Sequence, residues 1–154
     1  MPTSFELTPE MMRAIIMDHY ENPQYKKTPA NKDAFKQFHM SSSNCIDDII
    51  VYALEENNVI KECYWDGVAC TISTASTDIM CGLVINKSLK DALYIIEQYK
   101  HMIHEEQFDE SVLDEALAFV NTAKQAARIK CATIGWDAFD QILNECGEHH
   151  HHGK

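Results

Sequence analysis

Thiols and one nearby carboxylate are the groups of this chain best suited to hold a metal ion or act as nucleophiles, and its six cysteines divide by position. Cys45, Cys70 and Cys131 each stand where a loop is expected to hand over to a regular element, and Asp47 follows Cys45 by two residues. Three thiolates and a carboxylate suffice to close a tetrahedral site around one soft-to-borderline cation, with zinc the first choice. A thiol at a helix N-terminus also meets the positive end of the helix dipole and unpaired N–H groups, both of which favour thiolate. Cys70 and Cys131 are expected in that setting, and Arg128 and Lys130 add positive charge beside Cys131. Cys63 instead falls mid-strand on the face of Val59 and Trp65, where a free cysteine is usually buried and inert, while Cys81 and Cys146 fall at helix C-terminal ends. Spacing alone leaves two readings open, a shared site or three unrelated cysteines, because no compact C-x-x-C knuckle is present.

The remaining polar candidates read as structural. His101 and His104 share a helical face, but next to Glu105 and Glu106 they belong to a solvated surface. His19 is expected to be structural or on the surface, and Met11, Met12 and Met17 to be helix filler. The run His149 to His152 is either a metal-attracting tail or a remnant of expression, so residues 148–154 are set apart as a His-rich disordered tail and 1–147 are taken as one domain.

Several elements must position the thiols. Thr8 caps and Pro9 opens a first helix through Met11, Met12, Ile15, Ile16 and Tyr20, which Asn22-Pro23 closes. Ala34 to Met40 is expected as a short strand through Phe35 and Phe38; Ile46 to Leu54 and Val59 to Trp65 form a hairpin around the turn residues Glu55 to Asn58. Asp66-Gly67 should break that strand, and a helix of small residues, Ala69 to Cys81, should end at Gly82. Ser88 caps a helix with Leu89, Leu93, Ile96 and Tyr99 inward, another runs from about Ser111 through Leu113, Leu117 and Val120, and the last starts near Cys131 with Gly135 as a tolerated defect. Strands first and helices afterwards indicate α+β: a small antiparallel sheet of about three strands against several helices.

Bulk properties narrow the function. With 154 residues and 45% hydrophobic content the chain can bury an ordinary core, and its net charge of −11 argues against nucleic acid or anionic membranes as partners. The N-terminus has no signal-peptide pattern, and the apolar run Ile49 to Leu54 is too short to span a bilayer. A cytoplasmic setting is expected, where six cysteines serve better as ligands, reactive thiols or core residues than as disulfides.

Three segments carry a resemblance. Ile16-Met17-Asp18-His19-Tyr20-Glu21-Asn22-Pro23 resembles the N-terminal signature of the IscU/NifU/SufU iron-sulfur cluster assembly family. Gly67-Val68-Ala69-Cys70-Thr71-Ile72-Ser73-Thr74-Ala75-Ser76 is similar to that family's second cysteine motif, and Arg128-Ile129-Lys130-Cys131-Ala132-Thr133-Ile134-Gly135-Trp136 to the third motif of its SufU branch. Scaffold-type members carry histidine immediately before the third cysteine; here the residue is Lys130, whose ammonium has no lone pair for a metal. The long segment between Cys70 and Cys131 also resembles the insertion of the SufU branch. The first motif departs from the family's Cys-Gly-Asp, with the β-branched Ile46 between Cys45 and Asp47 where glycine would leave the loop freer.

The resemblance implies a zinc-dependent sulfurtransferase that accepts persulfide sulfur from a SufS-type cysteine desulfurase and passes it toward downstream iron-sulfur assembly proteins. It implies Cys45, Asp47, Cys70 and Cys131 as zinc ligands, with Cys45 as sulfur acceptor once a histidine of the docked desulfurase takes its place on the metal. Arg128 is then electrostatic support. Two alternatives remain at this point: a scaffold on which an iron-sulfur cluster assembles transiently on the same cysteines, and a zinc-stabilised interaction module without catalysis.

Overall fold

The computed structural model describes residues 7–42 and 46–147. Helix α1, Pro9–Glu21, starts where the sequence places it: the Thr8 hydroxyl accepts from the Met11 N–H at 3.1 Å, and Pro9 occupies a first-turn position whose N–H needs no partner. Its inward face differs from the expected one. Met12 and His19 are buried, whereas Met11, Met17 and Tyr20 are exposed, since α1 packs only one narrow stripe against the rest of the molecule.

Three strands follow, β1 (Lys36–Ser41), β2 (Asp48–Glu56) and β3 (Val59–Val68), antiparallel in the order β1-β2-β3. Asn57 and Asn58, both at positive φ, make the β2–β3 turn, the backbone region that asparagine tolerates best after glycine. Ile49, Val51 and Ala53 alternate inward along β2. On β3 a register shift opposite Leu54/Glu55 breaks the alternation, so Ile60 points into the core instead of Val59, and Cys63 and Trp65 follow it inward. Asp66-Gly67 does not end the strand. Gly67 pairs with Ile49 at φ +125°, and a Cβ there would lie 2.2 Å from the Asp48 carbonyl oxygen, so glycine is what lets β3 continue beside β2.

Helix α2, Thr71–Val84, runs past Gly82, which packs under the Tyr25 ring instead of capping. Helix α3, Leu89–Ile103, is capped by Ser88; it buries Ala92, Ile95, Ile96, Tyr99, Met102 and Ile103 and leaves Leu93 exposed. The expected helix after Ser111 is a series of 3-10 turns, Glu110–Val112, Asp114–Phe119 and Thr122–Lys124, which bury Leu113, Ala116, Leu117 and Phe119. Asp114 sits at φ +44°, outside α-helical space, which prevents one continuous helix through this stretch. Helix α4, Ala126–Gly147, begins five residues before Cys131. It packs on β1, β2, α2 and α3, while α2 also covers β3 and meets α1. The fold is thus α+β, one small sheet with helices packed against it.

Gly135 is no defect. A Cβ at that position would lie 2.2 Å from Thr77 Oγ1 and 2.8 Å from Thr77 Cβ, so the missing side chain allows α4 to cross α2 at close range. One turn earlier, the Ala132 carbonyl accepts from Ser76 Oγ at 2.6 Å and from the Tyr99 hydroxyl at 2.7 Å. Trp136 Nε1 donates to Ser76 Oγ at 2.8 Å, and the Tyr99 and Trp136 rings stack at 3.7 Å with only 2° between their planes. This buried network fixes the part of α4 that carries Cys131 to the middle of α2.

Candidate metal centre

Asp47, Cys70 and Cys131 converge at the end of the sheet where β2 begins and β3 closes. One donor atom from each lies within 4.8 Å of the others, and all three residues are at least partly buried. Each arrives from a different element. Asp47 immediately precedes β2 and is 1% exposed, while its neighbour Asp48 lies on the opposite side, exposed and hydrogen-bonded to His39. This separation follows from strand alternation, and it turns Asp48 away from the cluster.

Cys70 is the N-cap of α2, with extended backbone (φ −70°, ψ 175°), and its Sγ accepts from the Ser73 N–H at 3.5 Å. A sulfur at this position faces the amides of the first turn, as the acceptor of an N-cap does. Its own N–H donates to Asp47 Oδ1 at 2.8 Å, and its Sγ lies 4.0 Å from Asp47 Oδ2. Cys131, by contrast, occupies the second turn of α4, not its N-terminus, because the helix already starts at Ala126. The expected dipole effect therefore does not reach it in full, since that effect fades within the first turn. Arg128 and Lys130 are exposed on the same helix, and neither makes an ion pair with a described residue.

Cys45, expected as the fourth donor, lies outside the described residues, as do His149 to His152. The segment that carries Cys45 is closed at its base by the Ser42 N–H, which donates to the Asp47 carbonyl at 2.9 Å.

The donor set fits zinc. Bonds of about 2.3 Å to sulfur and about 2.0 Å to oxygen at tetrahedral angles put neighbouring donors about 3.5 to 3.8 Å apart, close to the 4.0 Å between Cys70 Sγ and Asp47 Oδ2. The other cysteines differ in kind. Cys63 and Cys81 are wholly buried with their sulfurs 3.6 Å apart, and burial raises the Cys81 pKa well above the ordinary thiol value. Burial likewise pushes Cys146 up to about 11, so these are core residues.

One feature of the site went unread in the sequence. Ser73, 0% exposed in the first turn of α2, donates from its hydroxyl to Asp47 Oδ2 and sits 3.3 Å from Cys70 Sγ. Its only sequence signal is its place three residues after Cys70, as expected of an N-cap partner. Outside the site, His19, expected to be structural or on the surface, is buried in the last turn of α1, and its ring nitrogens meet Asp78 and Glu115, each at 2.8 Å. Hydrogen bonds to these two carboxylates outweigh desolvation and raise its pKa from 6.5 to about 9, so it is a charged structural clamp. Asp78, fully buried, also accepts from the Gln24 and Tyr25 N–H groups and from Trp65 Nε1.

Comparison with known proteins agrees with this geometry. The model of the NifU-like N-terminal domain matches residues 11–140, most of the chain. The chain belongs to this family. It is 29% identical over 132 residues to the zinc-dependent sulfurtransferase SufU of Bacillus subtilis, covering 85% of this chain and 88% of that one. It is 28% identical over 139 residues to the iron-sulfur cluster assembly scaffold protein IscU of Streptococcus pyogenes, covering 90% and 86%. Among solved structures, FiSufU of Fervidobacterium islandicum AW-1 superimposes with a TM-score of 0.77 at 26% identity over 84% of this chain and 93% of that one. A NifU-like N-terminal protein of Brucella abortus, 19% identical with a TM-score of 0.76 over 87% and 92%, shares the fold. Among the described residues no helix is long and apolar enough to cross a membrane.

Proposed function

We propose that this member of the family is a zinc-dependent sulfurtransferase that accepts persulfide sulfur from a SufS-type cysteine desulfurase and hands it to downstream iron-sulfur assembly proteins. The observation that carries the reading is the convergence of Asp47, Cys70 and Cys131 from three elements onto one donor cluster. Lys130 stands where a further metal-binding side chain would be needed for a scaffold-type site, and it offers no lone pair. Cys45 completes the ligand set and is the sulfur acceptor; Arg128 lends electrostatic support to the anionic reactants.

Bound zinc would hold thiols as thiolates at neutral pH and shield them from oxidation. The chemistry itself is thiol exchange. The Cys45 thiolate attacks the terminal sulfur of the desulfurase persulfide, a new S–S bond forms at Cys45, the desulfurase S–S bond breaks, and its cysteine leaves as thiolate. No external oxidant or reductant is consumed. The Ser73 N–H donates to Cys70 Sγ, and the Ser42 N–H donates to the Asp47 carbonyl beside the site.

The second reading, assembly of a transient iron-sulfur cluster on the same cysteines, draws support from the comparable identity to IscU. One preparation separates the two. Protein purified anaerobically should contain one zinc, show no cluster absorbance and stimulate a SufS-type desulfurase, and Cys45→Ala should abolish the stimulation. Undiminished stimulation by Cys45→Ala removes the acceptor assignment, and a reconstituted labile cluster delivered to an apo-acceptor favours the scaffold.

A further inference from the structure

Among the described residues, Ser73 is the one wholly buried hydroxyl in reach of two side chains of the candidate centre. Its Oγ donates to Asp47 Oδ2, while the Cys70 N–H holds the other oxygen, Oδ1, at 2.8 Å. The carboxylate is therefore gripped at both oxygens by the first turn of α2, and it cannot rotate without breaking both bonds. Held this way, Oδ1 is turned to the Cys70 amide, and Oδ2 is the oxygen that faces Cys70 Sγ, across 4.0 Å.

We propose that Ser73 is a positioning residue that fixes Asp47 as a one-oxygen metal ligand, presenting Oδ2 alone to the ion it shares with Cys70. The inference rests on the reading of Asp47 as a ligand. Its physical basis is the lone-pair inventory of a carboxylate: Oδ2 can accept the Ser73 proton and still offer a second lone pair to the cation. Without the hydroxyl, only the Cys70 amide still holds the carboxylate, which can then turn about that one bond toward two-oxygen binding and crowd the position needed by the fourth donor. A hydroxyl 3.3 Å from Cys70 Sγ also adds polarity beside the thiolate, but its proton is held by the stronger acceptor, the carboxylate. The serine stands to the aspartate as outer hydrogen-bond partners stand to metal-ligating side chains in general.

The test uses the reduced full chain, titrated anaerobically with Co2+ while the thiolate-to-cobalt charge-transfer band is followed, with zinc affinity obtained by competition. That band reports cysteine ligands and is blind to metal held by His149 to His152. Ser73→Ala should weaken binding by about 10- to 100-fold and shift the ligand-field bands, with metal-free melting close to wild type. Ser73→Thr, which keeps the hydroxyl, should restore affinity and spectrum. In an Asp47→Ala background, Ser73→Ala should cause no further loss. Wild-type affinity and spectrum in Ser73→Ala, or an equal loss in the Asp47→Ala background, overturns the assignment. Should Ser73→Ala fail to fold, Ser73→Thr decides: weak binding there overturns it, wild-type binding supports it. Absence of any thiolate band in the wild type sinks the metal-centre reading as well, so the two failures are distinguishable.

Discussion

Replacing Gly135 with alanine tests whether the close crossing of α2 and α4 is what brings Cys131 to Cys70. The added Cβ would lie 2.2 Å from Thr77 Oγ1, 2.7 Å from Cγ2 and 2.8 Å from Cβ. Turning the Thr77 side chain relieves the first two contacts but not the third. Ordinary contact begins near 3.4 Å, so the helices must part by at least about 0.6 Å, the difference from 2.8 Å. Overpacking of this kind costs about 1 to 3 kcal/mol, offset by up to about 1 kcal/mol from removing glycine in a helix interior. A net loss of about 1 to 2 kcal/mol is expected, read from urea denaturation of the metal-free protein. Cys131 lies one turn before Gly135, so the displacement reaches its sulfur. Metal sites tolerate donor shifts of only about 0.2 Å, and Co2+ affinity should therefore fall by at least about tenfold. A Gly135→Ala protein that is more stable than wild type and binds metal equally well would refute the reasoning, because glycine would then be a mere defect of propensity.

Three further outcomes are expected. His19, whose pKa is raised from 6.5 to about 9, contributes stability that is complete below pH 6.5 and disappears as pH rises through about 9; the full linkage is about 3 kcal/mol, reduced to about 2 because Glu115 is half exposed. His19→Gln should flatten the unfolding free energy over that window, and an unchanged slope would remove the clamp. Gly67→Ala forces a side chain into the left-handed region against the Asp48 carbonyl and should destabilise by at least about 2 kcal/mol, while weakening Co2+ binding through displacement of Asp47; a neutral result in both assays would contradict the register. Removal of metal with a chelator should lower the melting temperature by about 5 to 10 °C relative to protein held at one hundred times its dissociation constant for zinc, and no change would mean the ion does not tie the three elements together.

What was legible in the sequence was local. Thr8-Pro9, Asn57-Asn58 and Ser88 mark their turns and caps through short-range hydrogen bonding and allowed φ, which do not depend on distant chain. Asp47, Cys70 and Cys131 were candidates because few residue types can ligate a metal and the resembling motifs keep order along the chain, and the fold brings the three together. The glycines misled because their use is set across space: Gly82 faces Tyr25, Gly67 passes Asp48 and Gly135 meets Thr77. Leu113, Leu117 and Val120 have helical spacing, yet Asp114 at positive φ sends the backbone through 3-10 turns that bury the first two of these side chains. Ser73 has no such local signal for its role: its carboxylate partner, Asp47, arrives from 26 residues earlier in the chain.

The paired sulfurs of Cys63 and Cys81 give the molecule an internal clock. They sit on β3 and α2, at 0% exposure and 3.6 Å apart, and burial holds Cys81 in its unreactive protonated form. An alkylating reagent can reach either only when that sheet–helix contact opens, whereas Cys70 is within reach in the native state. Labelling followed by mass therefore separates two timescales in one sample: the prompt modification counts the accessible thiol chemistry, and the delayed modification of the pair reads how often the strand and helix flanking the candidate metal centre come apart.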